Sequence, residues 1–171
     1  MAYDLLIKNG RVIDGSGMPA FRGDVGVTRG KIVAVGKLRD SAARTIDADG
    51  LVVAPGFIDN HCHYDAQVTW DPLCTFSCYH GATSVIIGNC SLALAPVRRG
   101  RESRLAEFLS YVEAIPMEVL STVNMTWETV GEYMDTLDKR LGVNVGNLIG
   151  HSAVRYYVMG DESQKRAADA D

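Results

Sequence analysis

His61-Cys62-His63 places two imidazoles two residues apart. In extended chain, successive side chains alternate, so His61 and His63 share one side while Cys62 faces the other. Imidazole is the commonest metal ligand, and two on one face can hold one ion or a pair. With 4 histidines in 171 residues, a pair at this spacing arises by chance in about one such chain in ten. On spacing alone, ligation and two hydrogen-bonded histidines at a strand end are equally good readings.

Three further residues occupy matching places. Cys90 follows the apolar run Ala82 to Gly88. A thiolate there suits zinc, which accepts cysteine sulfur and histidine nitrogen. In isolation, Cys90 reads better as a small core hydrophobe. His151 closes another apolar run, Asn144 to Gly150. Three strands in succession would then end in a possible ligand or polar catalytic group, at the end of a sheet where catalytic residues gather. Arg155, four residues on, could hold an anionic group of a substrate, although on spacing alone an ordinary surface arginine is the better reading. Cys74 and Cys78 lack the second pair that a zinc ribbon needs, so they read as buried thiols, and His80 reads as structural.

Two kinds of element must position these groups. Over residues 1–55 the chain reads as short strands joined by tight turns. Asn9-Gly10 is a two-residue hairpin signal that would separate Tyr3 to Lys8 from Arg11 to Asp14. Arg29-Gly30 joins Asp24 to Thr28 with Lys31 to Val35, and Ala48-Asp49-Gly50 separates two more strands. After Pro55-Gly56 the pattern changes. Phe57 to His61, Ala82 to Gly88 and Asn144 to Gly150 read as strands buried in a parallel sheet. Arg101 to Ala114 carries Leu105, Phe108, Leu109 and Val112 at helical spacing. Thr126 to Leu141 predicts a second helix with Thr126 as N-cap and Val130, Tyr133, Met134 and Leu137 as its apolar stripe. Asp161 to Asp171 predicts the start of a third. Strands alternating with helices define an α/β class with a parallel sheet.

Composition bounds the function. Apolar residues make up 47% and charged residues 22%, an ordinary globular balance. Seventeen Lys and Arg against 21 Asp and Glu give a net charge of −4, which offers no basic footprint for nucleic acid and no polybasic membrane anchor. No run approaches the roughly 18 apolar residues of a membrane span. The opening MAYDLLIKNGRVIDG lacks the form of a signal peptide. A cytoplasmic location is expected, with Cys62, Cys74, Cys78 and Cys90 reduced.

The motifs resemble a known family. APGFIDNHCHYDAQ (Ala54 to Gln67) resembles the first barrel strand of the amidohydrolase superfamily. HGATSVIIGNC (His80 to Cys90) resembles the second strand of its N-acyl-D-amino-acid deacylase (D-aminoacylase) branch. WETVGEYMDTLDKR, GHSAVRYYVMG and the opening YDLLIKNGRVIDGSG are similar to the same branch. The resemblance runs from Tyr3 to about Asp161. Its HxH element is shared widely, whereas GNC together with GHxxxR is specific to the deacylases. Two departures stand out: Cys62 replaces a small polar residue, and Ser91-Leu92 follows Cys90 where the family commonly has glycine.

This resemblance implies a small β-sandwich part in residues 1–55 and the first three βα units of a metal-dependent (β/α)8 barrel in 56–171. It implies His61, His63 and Cys90 as ligands of one or two zinc ions, with His151 and Arg155 in the active site. The implied reaction is hydrolysis of a linear amide in a small N-acyl amino acid, of D configuration. A complete barrel takes about 250 residues. The later histidine ligands and a catalytic aspartate of the family would fall beyond Asp171, so the chain is expected to be an inactive portion of a longer enzyme. Its oligomeric state is left open. A hydantoinase- or dihydroorotase-like cyclic amidohydrolase and a non-catalytic scaffold on the same fold are the alternatives; Cys90 in GNC favours the deacylase over the first, and the retained ligands favour it over the second.

Overall fold

Tyr3 to Val12 alternates buried and exposed positions along one continuous strand, β1 (Tyr3–Val12). A computed structural model describes residues 3–138 and 141–169. The chain divides between Pro55 and Gly56 into two compact units.

In the first unit, β1 pairs antiparallel with β2 (Phe21–Thr28), which pairs antiparallel with β3 (Lys31–Gly36). On its other side β1 lies parallel to β4 (Ala42–Asp47) and then to β5 (Val52–Val53). The Arg29-Gly30 turn forms as expected, both residues having positive φ. Asn9-Gly10 does not turn the chain. Asn9 has φ 63°, but the strand continues, and the register against β2 shifts between Ile7 and Gly10. The left-handed residue makes a bulge, one extra residue in one strand of a pair. Gly10 is needed there because a Cβ would meet Val53 Cγ2 at 2.4 Å.

Asp24 stabilises the bulge. Its carboxylate accepts hydrogen bonds from the backbone N–H of Asn9 (2.8 Å) and of Leu38 (2.9 Å). Burial pushes this acid up, but the two amides and the Lys8 charge outweigh it and hold it below the usual carboxylate range. All five strands form one sheet.

The second unit is a parallel sheet, ordered β6 (Phe57–Asp59), β7 (Ala82–Ile87), β8 (Asn144–Asn147). Between β7 and β8 come α1 (Glu102–Glu113), α2 (Met117–Leu120) and α3 (Val130–Leu137); α4 (His151–Met159) follows β8. Val85 and Ile87 of β7, Leu105 and Leu109 of α1, and Tyr133 and Leu137 of α3 meet in one buried cluster. Each such side chain contributes about 1.5–3 kcal/mol by leaving water.

Several expectations are corrected. β6 ends at Asp59, so His61 and His63 stand on the loop after it. Nor is β6 buried: Phe57 and Ile58 are each 67% exposed, since among the described residues no layer covers them. The cap of α3 is Thr129, whose hydroxyl accepts from Glu132 N–H while Glu132 reaches back to Thr129 N–H. That reciprocal box satisfies two otherwise orphaned donors, which Thr126 could not do. The helix expected to reach Leu141 ends at Leu137, and Lys139 and Arg140 lie outside the described residues. The last helix begins at His151; Gly160–Gln164 is only a 3-10 turn, and Ala170 and Asp171 lie outside the described residues. No helix among the described residues is long and apolar enough to cross a membrane.

Asp24→Ala removes a charged acceptor from two amides. It should lower stability by about 2–4 kcal/mol at pH 7, read by chemical denaturation. Because the folded carboxyl is depressed, the difference should persist above the unfolded value near pH 4 and fade as pH drops through the folded one. An unchanged denaturation midpoint would contradict the assignment.

Candidate metal centre

The loop after β6 and the loop after β7 are tied together by one side chain. Asn89, 8% exposed, donates from Nδ2 to Ile86 O (2.7 Å) and to Cys62 O (3.3 Å). Cys62 Sγ donates to the same Ile86 carbonyl at 3.2 Å. Burial, and then the Asp59 charge, push this thiol up to about 11, so it stays protonated. Gly88 precedes the tie with φ 78°, and a Cβ there would lie 2.1 Å from Leu148 O. Glycine is therefore required where the ends of β7 and β8 converge.

Other contacts brace the histidine loop. Tyr64 Oη and Ser77 Oγ are 2.9 Å apart, and Ser77 Oγ donates to Asp59 Oδ2 at 2.7 Å. Ser77 has one hydroxyl proton, so Tyr64 is the donor in the first contact. Buried Tyr133 donates to Asp65 O at 2.7 Å. The Asp65 carboxyl is fully buried, and neither oxygen has a hydrogen-bond partner. Burial pushes it up to about 7; its own and the Gly88 amide oppose this from a distance, and the Glu113 charge adds to it.

These ties bring His61, His63 and Cys90 together, with ligand atoms all within 4.8 Å of one another. His61 Nε2 and Cys90 Sγ are 3.1 Å apart, and the two imidazole centroids are 5.5 Å apart, edge to face. His63 Nε2 lies 3.6 Å from Glu113 Oε1, while His63 Nδ1 is buried without a hydrogen-bond partner. Two imidazoles and a thiol with one orphaned nitrogen fit a zinc ion's donor preference. Among the described residues this is the one such cluster.

His151 and Arg155 are not in that group. Both line a separate cavity of about 680 Å³, with Leu92, Arg104 and Phe108 among its other walls. His151 is the first residue of α4, whose start packs on the ligand loop: Ser152 N–H donates to Ser91 O at 3.1 Å. Arg155 donates from Nε to Ser163 O (2.8 Å) and from an Nη to Arg166 O. Cys74 is fully buried and its thiol, through burial first, is pushed up to about 12. His80 ends a 3-10 turn ahead of β7.

From sequence, Asn89, Asp65 and Glu113 had no role, and Tyr133 only a place in an apolar stripe. Asn89 stood inside GNC but was given no role of its own. Glu113 left a trace, an acid in the last turn of a helix, against the macrodipole.

The amidohydrolase family match covers residues 44–171. The chain belongs to the amidohydrolase family. As an amidohydrolase it is 37% identical over 172 residues to a D-aminoacylase of Alcaligenes xylosoxydans xylosoxydans, a match covering 99% of this chain and 33% of that one. It is 40% identical to an uncharacterised Mycobacterium tuberculosis protein, over 94% of this chain and 27% of that one. Its fold is similar to that of an N-acyl-D-glutamate deacylase from Bordetella bronchiseptica, solved with zinc and a phosphonate inhibitor: TM-score 0.82, 33% identity, 99% of this chain and 34% of that one. This amidohydrolase chain thus spans about a third or less of the relatives it matches.

Two outcomes check the geometry. Cys90 is exposed and Cys74 buried, so iodoacetamide should label Cys90 first and leave Cys74 until unfolding, and added zinc should slow only the Cys90 reaction; equal rates would contradict the placement. Cys90 and Ser91 both have positive φ, 54° and 68°. Ser91→Gly should therefore stabilise the protein by about 1 kcal/mol, read as a higher melting temperature, and a loss would contradict the strain.

Proposed function

We propose that His61, His63 and Cys90 are one part of a zinc site, of one or two ions, that hydrolyses the amide bond of small N-acyl-D-amino acids. The remaining ligands and the proton-transferring carboxylate would come from later segments of a longer enzyme, and the 171-residue chain alone is inactive. The observation that carries this reading is the convergence of the three donor atoms within 4.8 Å beside the unpartnered His63 Nδ1. In this reading β6, β7 and β8 open a (β/α)8 barrel, residues 56–171, and the sheet of residues 1–55 is part of a β-sandwich. The likeness to the D-aminoacylase and the deacylase supports both.

Zinc, when bound, would supply Lewis-acid activation, lowering the pKa of water toward about 7 and polarising the amide carbonyl. The chain's own residues supply placement. Cys90 Sγ and His61 Nε2 meet between the two loops, and Asn89 holds those loops in register. Cys62 turns inward as a thiol and leaves the donor set undisturbed. In this reading the separate cavity that His151 and Arg155 line receives the part of the substrate remote from the metal. Arg155 is the cation for a substrate carboxylate, braced by the Ser163 and Arg166 carbonyls. The substrate is a small molecule; the net charge of −4 suits neither nucleic acid nor an anionic membrane.

Full-length enzyme should contain stoichiometric zinc and release the free amino acid from N-acetyl-D-amino acids. Cys90→Ser and His61→Asn should each lower zinc affinity and kcat/KM by about 10²-fold or more. Arg155→Gln should raise KM more than it lowers kcat. Preferential turnover of a hydantoin would favour a cyclic amidohydrolase instead, and full-length protein without stoichiometric zinc would favour a scaffold.

A further inference from the structure

A second cavity, of about 920 Å³, shares no lining residue with the donor cluster or with the cavity of His151 and Arg155. Three stretches of the second unit enclose it: the 3-10 turn Gln67–Thr69 with Trp70 after it, the turn that follows α2, and α3. Buried Val68 and Leu137 give it apolar surface.

The hydroxyl protons on its wall are already spent. Thr69 Oγ1 donates to Ala66 O (2.8 Å), Thr122 Oγ1 to Val119 O (2.7 Å) and Thr136 Oγ1 to Glu132 O (2.9 Å). Each bond runs to a carbonyl three or four residues back, as short polar side chains make in turns and helices. A hydroxyl has one proton and two lone pairs, so these three groups can only accept from a ligand. The indole N–H of Trp127 is likewise used, on Leu94 O at 2.8 Å. Asn124 and Thr126 also line the cavity and can donate or accept.

The charge on the wall has one sign. Asp135 lines the cavity, and among its described lining residues none is a lysine, arginine or histidine. Nor has Asp135 an ion-pair partner among the described residues. Beside it stands Trp70, 45% exposed. The face of an indole attracts a cation within about 6 Å of its centre. A carboxylate, an open indole and three acceptor-only hydroxyls suit a ligand that is positive, donates hydrogen bonds and carries an apolar body. An anion would meet Asp135 and three sets of lone pairs, and a neutral alcohol would gain nothing from the charge.

We propose that this cavity binds a small organic ammonium ion, its N–H groups donating to the threonine hydroxyls and the Asp135 carboxylate while its apolar part packs on Trp70. The site is independent of the metal centre and of the reaction proposed there.

The test is calorimetric titration of full-length protein at pH 7 with 2-phenylethylammonium, with neutral 2-phenylethanol and with anionic 3-phenylpropanoate. The ammonium should saturate one site, about fivefold or more tighter than the alcohol, and the carboxylate should bind more weakly than either. Asp135→Asn should weaken ammonium binding about fivefold or more and leave the alcohol within about twofold. Trp70→Ala should weaken ammonium binding by a similar factor. Both side chains are exposed, so an unchanged melting temperature is expected for each variant; if Trp70→Ala does not fold, Asp135→Asn decides. Equal affinity for the ammonium and the alcohol overturns the proposal. So does ammonium binding that Asp135→Asn leaves unchanged, which would lie elsewhere, the metal centre included. Absence of saturable binding overturns it as well, whether because the cavity has no such affinity or because a later segment of the longer protein fills it.

Discussion

The amide of Asn89 spans the carbonyls of Cys62 and Ile86, and the arrangement of the candidate centre follows from that span. One carbonyl belongs to the loop carrying His61 and His63, the other to the strand that delivers Cys90. Both bonds are shielded from water, since Asn89 is buried, and a buried polar group that loses its partner is costly. The two loops consequently keep one separation. Gly88 makes the span possible by letting the end of β7 approach Leu148 without a side chain between them. Ser91 continues in the same left-handed conformation as Cys90, which turns the chain at once toward the start of α4.

Around this tie lie side chains whose individual placement looks unfavourable. Asp65 is buried with neither oxygen paired, Glu113 stands at the wrong end of a helix, and two consecutive non-glycine residues adopt positive φ. Each would be removed by selection for stability alone. Together they surround three ligand-type side chains, the setting in which proteins keep strain and uncompensated charge. Tyr133 and Trp127, with ring centroids 4.9 Å apart, bring rigidity from the other side, donating to Asp65 O and Leu94 O respectively.

Much of the secondary structure was legible because it rests on periodicity. The apolar run of β7, the stripe of Leu105 and Leu109 on α1, and the Arg29-Gly30 turn are local patterns that burial reproduces. The failures share a cause. Asn9-Gly10 has the chemistry of a turn, and only Asp24 across the sheet makes it a bulge. Thr129 and Glu132 encode a capping box directly before Val130, the first residue of the apolar stripe, whereas Thr126 stands one turn too early. The centre divides in the same way. Residue type and strand-end position marked His61, His63 and Cys90, because ligation chemistry belongs to those residues. The contacts of Asn89 and Glu113 reach across 27 and 50 residues of chain, and neither type announces such a contact. His151 and Arg155 line a cavity apart from the cluster, a separation that spacing could not express.

The tie between the ligand loops also bears on the order in which the molecule assembles. His61 and Cys90 are 29 residues apart, and every strand that aligns them is complete by Asn147. Domains are generally synthesised and folded from the N-terminus, and closing a loop of this length carries a modest entropic cost. All three donor groups therefore lie within the first 90 residues, and the strands beside them are close in sequence.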